Sequence, residues 1–223
     1  MGINLGDVFP NFKCSTTEGE MDFYNYIEGS WAILFSHPAD YTPVCTTELG
    51  HAASNYHEFE KRGVKLMGLS VDPVDSHNGW IKDIQAICTM PTAGKFPFPL
   101  AAGSRKLVSD LGMLDPDEVD GTGMPLTARC VFIIGPDKRL KLSLLYPATT
   151  GRNFKEIYRV IDSLQLTASK KVATPANWES GEKCMVVPSL SDEQANQLFP
   201  KGFETKSVPS KKSYIRYTPD PSV

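Results

Sequence analysis

The apolar positions of this chain fall into short runs and helical stripes that alternate along its length. Ile33, Leu34 and Phe35 form an unbroken apolar run of the kind a strand buried on both faces needs. Pro38 and Pro43 then interrupt any regular element, so the chain must turn. From Thr42 onward the pattern becomes helical. Thr46, Thr47 and Glu48 suit a first turn, and Leu49, Ala52, Ala53, Tyr56 and Phe59 share one side of the helix that follows. Residues 64–71 read as a strand ended by Asp72-Pro73. Residues 77–87 read as a helix with Trp80, Ile81, Ile84 and Ile87 on one side and His77 at its start, in a structural or solvent-facing place.

The prolines of residues 95–100 exclude a long central strand there. Residues 105–114 predict a helix, and the acidic, glycine-containing stretch 115–123 a loop that delivers Pro125 and Arg129. Residues 131–134 and 140–145 predict a hairpin around Gly-Pro-Asp-Lys, and residues 153–166 a long amphipathic helix. Strands alternating with helices predict an α/β core. Beyond residue 169 the composition changes, with Pro175, Pro188, Pro200, Pro209, Pro219 and Pro221 punctuating short segments. The expected organisation is a main domain over 1–168 and a smaller C-terminal module over 169–223.

At 223 residues and 41% hydrophobic the chain can bury a sizeable core, and its net charge of −3 gives no nucleic-acid footprint. No apolar run is long enough to span a membrane. Residues 1–7 lack the charged and apolar regions of a signal peptide, Gly6 stands where myristoylation wants Ser or Thr, and no Asn-x-Ser/Thr sequon occurs. Together with unpaired cysteine usage, these absences predict a reducing, cytoplasmic location. In the C-terminal module Lys201, Lys206, Lys211, Lys212 and Arg216 face only Glu204, which reads as a solvated basic surface, with an anionic partner as the alternative.

The five cysteines, at 14, 45, 88, 130 and 184, include no Cys-x-x-Cys pair, which argues against a dithiol motif and a compact zinc site. Cys130 follows Arg129 in a strand and so points to the opposite face, toward the core. Cys45 differs from the others, because the pattern places it at or near a helix N-terminus, where unpaired N–H groups and the helix dipole favour an anion.

Pro38-x-x-x-Thr42-x-x-Cys45 resembles the active-site signature of the peroxiredoxins, thiol peroxidases of thioredoxin-like fold. Ser36-His37-Pro38, Thr42-Pro-Val-Cys45-Thr-Thr-Glu48-Leu, Pro125-Leu-Thr-Ala-Arg129 and Leu145-Tyr-Pro-Ala-Thr-Thr-Gly-Arg152-Asn-Phe resemble the one-cysteine (1-Cys), peroxiredoxin 6-like subgroup. The resemblance spans essentially the whole chain. It implies a thioredoxin-like fold with a central β-sheet flanked by helices, plus the smaller module, and a homodimer to which that module contributes contacts.

The resemblance also implies a peroxidatic Cys45 whose thiolate attacks a peroxide oxygen and leaves as a sulfenic acid. Ionisation alone is too little. An ordinary thiol of pKa about 8.5 is already a few per cent thiolate at neutral pH, so full ionisation gains about 30-fold, roughly 2 kcal/mol. The rest must come from donors that grip the peroxide oxygens as the bond stretches. Arg129 is the expected donor, Thr42 a hydroxyl that bridges sulfur and substrate, and Pro38 a shield against water. Glu48 matches the residue that steers the arginine, with a helix-cap or surface role as the alternative. Arg152 matches a second arginine near the site. His37 either bonds across the pocket, or lies near the oxidised sulfur, or stacks on the strand end without chemistry.

In two-cysteine relatives a resolving cysteine lies in a Val-Cys-Pro-x-x-Trp segment. Here Thr174 of Val172-Ala-Thr174-Pro175-Ala-Asn-Trp178 stands in its place. No bound cofactor is expected, and the sulfenic acid needs an outside reductant such as glutathione or another thiol, with a glutathione transferase as a partner by resemblance. Cys184 is the alternative resolving thiol. The subgroup is also associated with a Ser/His/Asp phospholipase activity. Ser30 and Asp137 match it, but Tyr24 stands where the histidine belongs and Ala32 replaces the second glycine, so little or no such activity is expected. A redox switch that consumes one equivalent of peroxide and then binds a partner is the competing functional class.

Overall fold

The computed structural model describes residues 2–88 and 94–223. Contacts divide the chain into two compact units, Met1–Asn153 and Phe154–Val223. That division precedes the expected 168/169 boundary because the long helix of residues 154–169 counts with the C-terminal unit.

The first unit opens with a hairpin, β1 (Lys13–Thr16) and β2 (Gly19–Asp22), and a single helical turn, α1 (Phe23–Tyr26). Next come β3 (Trp31–Ser36), α2 (Pro43–Ser54), α3 (Tyr56–Glu60), β4 (Val64–Ser70) and α4 (Val74–Ile87). After β5 (Leu100–Ala102) and α5 (Arg105–Asp110), a separate ribbon of β6 (Leu114–Val119) and β7 (Pro125–Thr127) leads into β8 (Arg129–Ile134) and β9 (Leu140–Tyr146). The main sheet has seven strands in the order β2-β1-β5-β4-β3-β8-β9. β3 lies parallel to β4 and antiparallel to β8. It is therefore an inner strand, and both its faces are buried as the run Ile33-Leu34-Phe35 requires: Ala32 and Leu34 join the cluster of Phe9, Phe23, Cys130 and Phe132, while Ile33 and Phe35 are buried too.

The β3–β8 pairing ends on a side chain. The Ser36 hydroxyl donates to Ala128 O at 2.6 Å and accepts from Cys130 N–H at 3.1 Å, taking both of the backbone bonds on offer there. Across the sheet's helical layer, α2 and α4 pack closely at Gly50, where a Cβ would overlap the Cys88 sulfur.

Three expectations are corrected. The helix after Cys45 is two helices, because Asn55 turns its side-chain amide onto His51 O at 2.9 Å and ends α2. The helix expected over 105–114 stops at Asp110: Gly112 adopts φ 71°, Met113 N–H bonds Val108 O at 2.9 Å, and the chain reverses. The acidic stretch expected to be a loop is mostly strand β6, irregularly paired to β7 between Asp115 and Val119.

The second unit holds α6 (Phe154–Ser169), α7 (Asp192–Leu198) and a four-stranded sheet of β10 (Val172–Ala173), β11 (Cys184–Val186), β12 (Glu204–Thr205) and β13 (Arg216–Thr218). Its core is Leu166, Val172, Trp178, Cys184, Val186, Ala195 and Phe199. Arg216 is buried beside it, bonded to Asp192 and to the carbonyls of Val187 and Leu190, so one member of the expected basic surface is a structural cation. No helix of the described residues is long and apolar enough to cross a membrane.

Candidate active site

Cys45 is the third residue of α2, after Thr42 as N-cap and Pro43 as first helical residue. Pro43 has no N–H to leave unsatisfied and its ring presets the helical φ. The Thr42 side chain makes no capping bond, so the N–H groups of the first turn keep their partial positive charge for an anion. The Thr42 hydroxyl instead donates to Ala39 O at 2.9 Å, and its carbonyl accepts from Thr46 N–H and, at 2.7 Å, from the Thr46 hydroxyl. In this arrangement its proton is committed to Ala39 and not to the sulfur. Pro38 is buried in the same loop.

Arg129 begins β8, next to β3 in the sheet, and so arrives at the end of the sheet from which α2 departs. Its Nη1 donates to Cys45 Sγ at 3.2 Å and to Glu48 Oε2 at 2.7 Å. Nε and Nη2 both donate to Ala148 O, at 2.9 and 2.6 Å, which holds the guanidinium plane in one orientation. Glu48 lies one helical turn after Cys45, on the same side of α2. Arg152 binds it with its backbone N–H and Nε on Oε1 at 2.7 and 3.0 Å and with Nη2 on Oε2 at 2.9 Å. Arg152 Nη1 donates to Ser36 O and Cys130 O, both at 2.9 Å, and the guanidinium stacks on the Phe35 ring.

All three charged groups are buried. Burial alone would raise the Glu48 pKa, but the charge and hydrogen bonds of Arg152, joined by Arg129, outweigh it and hold the carboxyl below its ordinary value. Two guanidiniums share one carboxylate, so the cluster keeps one excess positive charge, and that charge faces the sulfur. It can stabilise a thiolate, and it can meet negative charge moving onto an oxygen that leaves the sulfur.

The other cysteines lie in different surroundings. Burial pushes the thiols of Cys14, Cys130 and Cys184 up to about 11, with Glu20 adding to the first and Asp220 to the last. Burial also raises Cys88. Cys130 faces the core, opposite Arg129, as the strand alternation predicts.

His37 is not bonded to Cys45. Its Nε2 pairs with Asp40 Oδ1 at 2.8 Å, and its ring lies 5.1 Å from that of Trp80. His77 is wholly buried, not solvent-facing, because α4 starts at Val74 and places it a turn inside; its Nδ1 pairs with Asp40 Oδ2 at 2.7 Å. Asp40 escaped the sequence reading, although a histidine three residues before an aspartate in a Pro-broken loop was the available signal. Of the three residues compared with a phospholipase triad, Tyr24 donates to Phe9 O, Ser30 to Glu28 O at 3.4 Å, and Asp137 binds Lys141 and Arg139 N–H. Among the described residues they do not bond one another.

Residues 5–143 match the AhpC/TSA family, and residues 163–202 match the C-terminal domain of 1-Cys peroxiredoxin. The chain is 61% identical over 221 residues to Peroxiredoxin-6 of Gallus gallus and 59% identical over 222 residues to that of Homo sapiens, covering 99% of this chain and of each relative. This chain belongs to the 1-Cys peroxiredoxins. Its architecture is accordingly the peroxiredoxin form of the thioredoxin-like fold, a mixed sheet with helices plus a C-terminal module that has its own sheet and helix. The crystal structure of the C45S mutant of Peroxiredoxin 6 of Arenicola marina superposes with a TM-score of 0.95 at 57% identity, covering 100% of both chains. A yeast mitochondrial 1-Cys peroxiredoxin, described as having a thiol resolving mechanism via glutathione/thioredoxin systems, reaches 0.87 at 40% identity over 97% of this chain and 99% of its own. As a peroxiredoxin, the protein is an antioxidant oxidoreductase, a thiol-dependent peroxidase.

Proposed function

We propose that Cys45 is the reacting sulfur and that Arg129, Thr42 and Pro38 complete the catalytic site, with Glu48 and Arg152 supporting Arg129. The contact of 3.2 Å from Arg129 Nη1 to Cys45 Sγ carries this reading. The Cys45 thiolate attacks one oxygen of hydrogen peroxide or an organic hydroperoxide. The S–O bond forms as the O–O bond breaks, and the departing hydroxide or alkoxide takes a proton from water. Arg129 has a donor at the sulfur already and can follow the charge as it moves. Two equivalents of an external thiol such as glutathione then return the sulfenic acid to the thiol, releasing water and a disulfide.

The external route is supported by Thr174 in the position of a resolving cysteine and by the glutathione/thioredoxin route of the yeast relative. The free, widely spaced cysteines support a reducing, cytoplasmic location, and the family resemblance supports a homodimer and a glutathione transferase as partner. The test is peroxide consumption by wild type and Cys45→Ser, with and without glutathione, followed by mass analysis of Cys45. Wild type alone is expected to consume one equivalent and carry a sulfenic acid, and to turn over once thiol is added. Equal consumption by Cys45→Ser would remove the site assignment.

A further inference from the structure

The loop from β3 to α2 carries Pro38 and Thr42, and Asp40 stands midway between them with its side chain 2% exposed. A carboxylate buried to that degree is tolerated only when its oxygens are satisfied. Its partners come from both flanks. Oδ1 accepts from His37 Nε2 at 2.8 Å, while Oδ2 accepts from His77 Nδ1 at 2.7 Å and from the Ser76 hydroxyl at 2.8 Å. The Asp40 N–H donates to Asp72 Oδ2 at 3.1 Å, and that oxygen also takes the Ser70 hydroxyl at 2.7 Å. Both imidazoles are wholly buried, and their remaining nitrogens, His37 Nδ1 and His77 Nε2, have no hydrogen-bond partner among the described residues.

This pattern fixes where the protons are. A carboxylate can only accept, so the hydrogens sit on His37 Nε2 and His77 Nδ1. A second proton on either ring would lie on a buried nitrogen with nothing to receive it. Burial accordingly lowers the His37 pKa against the pull of Asp40. The same count disfavours a metal ion at this His37, Asp40 and His77 cluster. An ion would displace the inner protons to the outer nitrogens, where metal-bound imidazoles ordinarily need an acceptor.

The loop needs an external hold. Tyr41 has φ 53°, a left-handed conformation that costs an aromatic residue on the order of 1–2 kcal/mol. Its ring lies 6.4 Å from that of Trp80, whose Nε1–H donates to Thr46 Oγ1 at 3.1 Å. α4 thus grips the loop and the first turn of α2 through Ser76, His77 and Trp80.

We propose that Asp40 is a positioning residue of the peroxidase site: it locks His37 and His77 in complementary tautomers and so fixes the 38–42 loop, with Pro38 and Thr42, against α4. The proposal rests on Cys45 as the reacting sulfur, which the Cys45→Ser comparison tests separately.

The experiment pairs two substitutions of His77 with one of Asp40. His77→Asn keeps an N–H donor near the Nδ1 position, whereas His77→Leu has none. Asp40→Asn keeps the shape but puts a donor where one imidazole N–H now points, so that ring must change tautomer. Imidazole nitrogen NMR of wild type should show Nε2–H on His37 and Nδ1–H on His77, with one of them exchanged in Asp40→Asn. The rate constant for Cys45 oxidation by hydrogen peroxide should fall about tenfold or more in Asp40→Asn and His77→Leu, as small misplacements at a reacting centre do, and recover in His77→Asn. Folded His77→Leu that oxidises Cys45 at the wild-type rate would overturn the proposal. So would a smaller amount of oxidised Cys45 formed at an unchanged rate constant, which is the signature of lost folded protein alone.

Discussion

Arg152 takes both oxygens of Glu48 with three hydrogen bonds, while Arg129 shares only Oε2 and keeps the rest of its fork for Ala148 O and the Cys45 sulfur. The division separates two duties. Arg152 anchors the carboxylate, and the anchored carboxylate aims Arg129.

Arg129→Lys keeps the charge and loses the fork. An ammonium has three donors on a flexible stem and cannot hold Ala148 O, Glu48 and the sulfur in one plane. The rate constant for Cys45 oxidation, read by stopped flow, should fall about 100-fold, the order found for removing one oriented donor from a reacting oxygen.

Glu48→Gln leaves two buried guanidiniums without their counter-charge and should cost about 3–5 kcal/mol in denaturant unfolding. The acid dependence should change as well. Glu48 has a folded pKa below its ordinary 4.5, so its stabilisation is complete above that value and is lost as pH falls through the lower folded one. Wild type should therefore lose stability below pH 4.5 more steeply than Glu48→Gln does, as midpoint denaturant against pH will report.

Cys184→Ser should leave thiol-dependent turnover as it is. The thiol is buried in the C-terminal unit with its pKa pushed up to about 11 by burial and Asp220, so it is scarcely ionised at neutral pH and a poor attacking group. Accumulation of a Cys45–Cys184 disulfide in peroxide-treated wild type, seen by mass spectrometry, would contradict this.

Gly50→Ala sets two effects against each other. Alanine in a helix gains about 0.5–1 kcal/mol over glycine, but the new methyl overlaps the Cys88 sulfur, and overpacking costs about 1–3 kcal/mol. The clash should win, lowering thermal stability, and Cys88→Ala in the same chain should restore part of the loss.

Much of this was legible before any coordinates. The apolar run 33–35 is long enough and sharply enough bounded to mark an inner strand, and the change of pattern at Thr42 put Cys45 on a helix start. The hairpin of β8 and β9 followed from alternation around a strong turn. Other parts were not legible for physical reasons. Leu-Asp-Pro-Asp-Glu-Val reads as loop because β6 is a largely exposed ribbon with little apolar face to display. β1 and β2 are four residues each, too short for a period to show. Asp40 and His77 lie far apart in sequence and meet only because α4 begins earlier than its apolar stripe suggests. The sharing of Glu48 between two arginines is likewise a fact of three-dimensional neighbourhood, absent from any local spacing.

The Ser36 hydroxyl that closes the β3–β8 pairing bears on more than that pairing. Side chains alternate along β8, so a slip of one residue against β3 would exchange the faces of Arg129 and Cys130. The cation would enter the apolar core, and a second, inert thiol would stand beside Cys45. By gripping Ala128 and Cys130 at once, Ser36 acts as a detent that admits only one alignment, and chemical competence in this protein is settled by strand assembly before any substrate arrives.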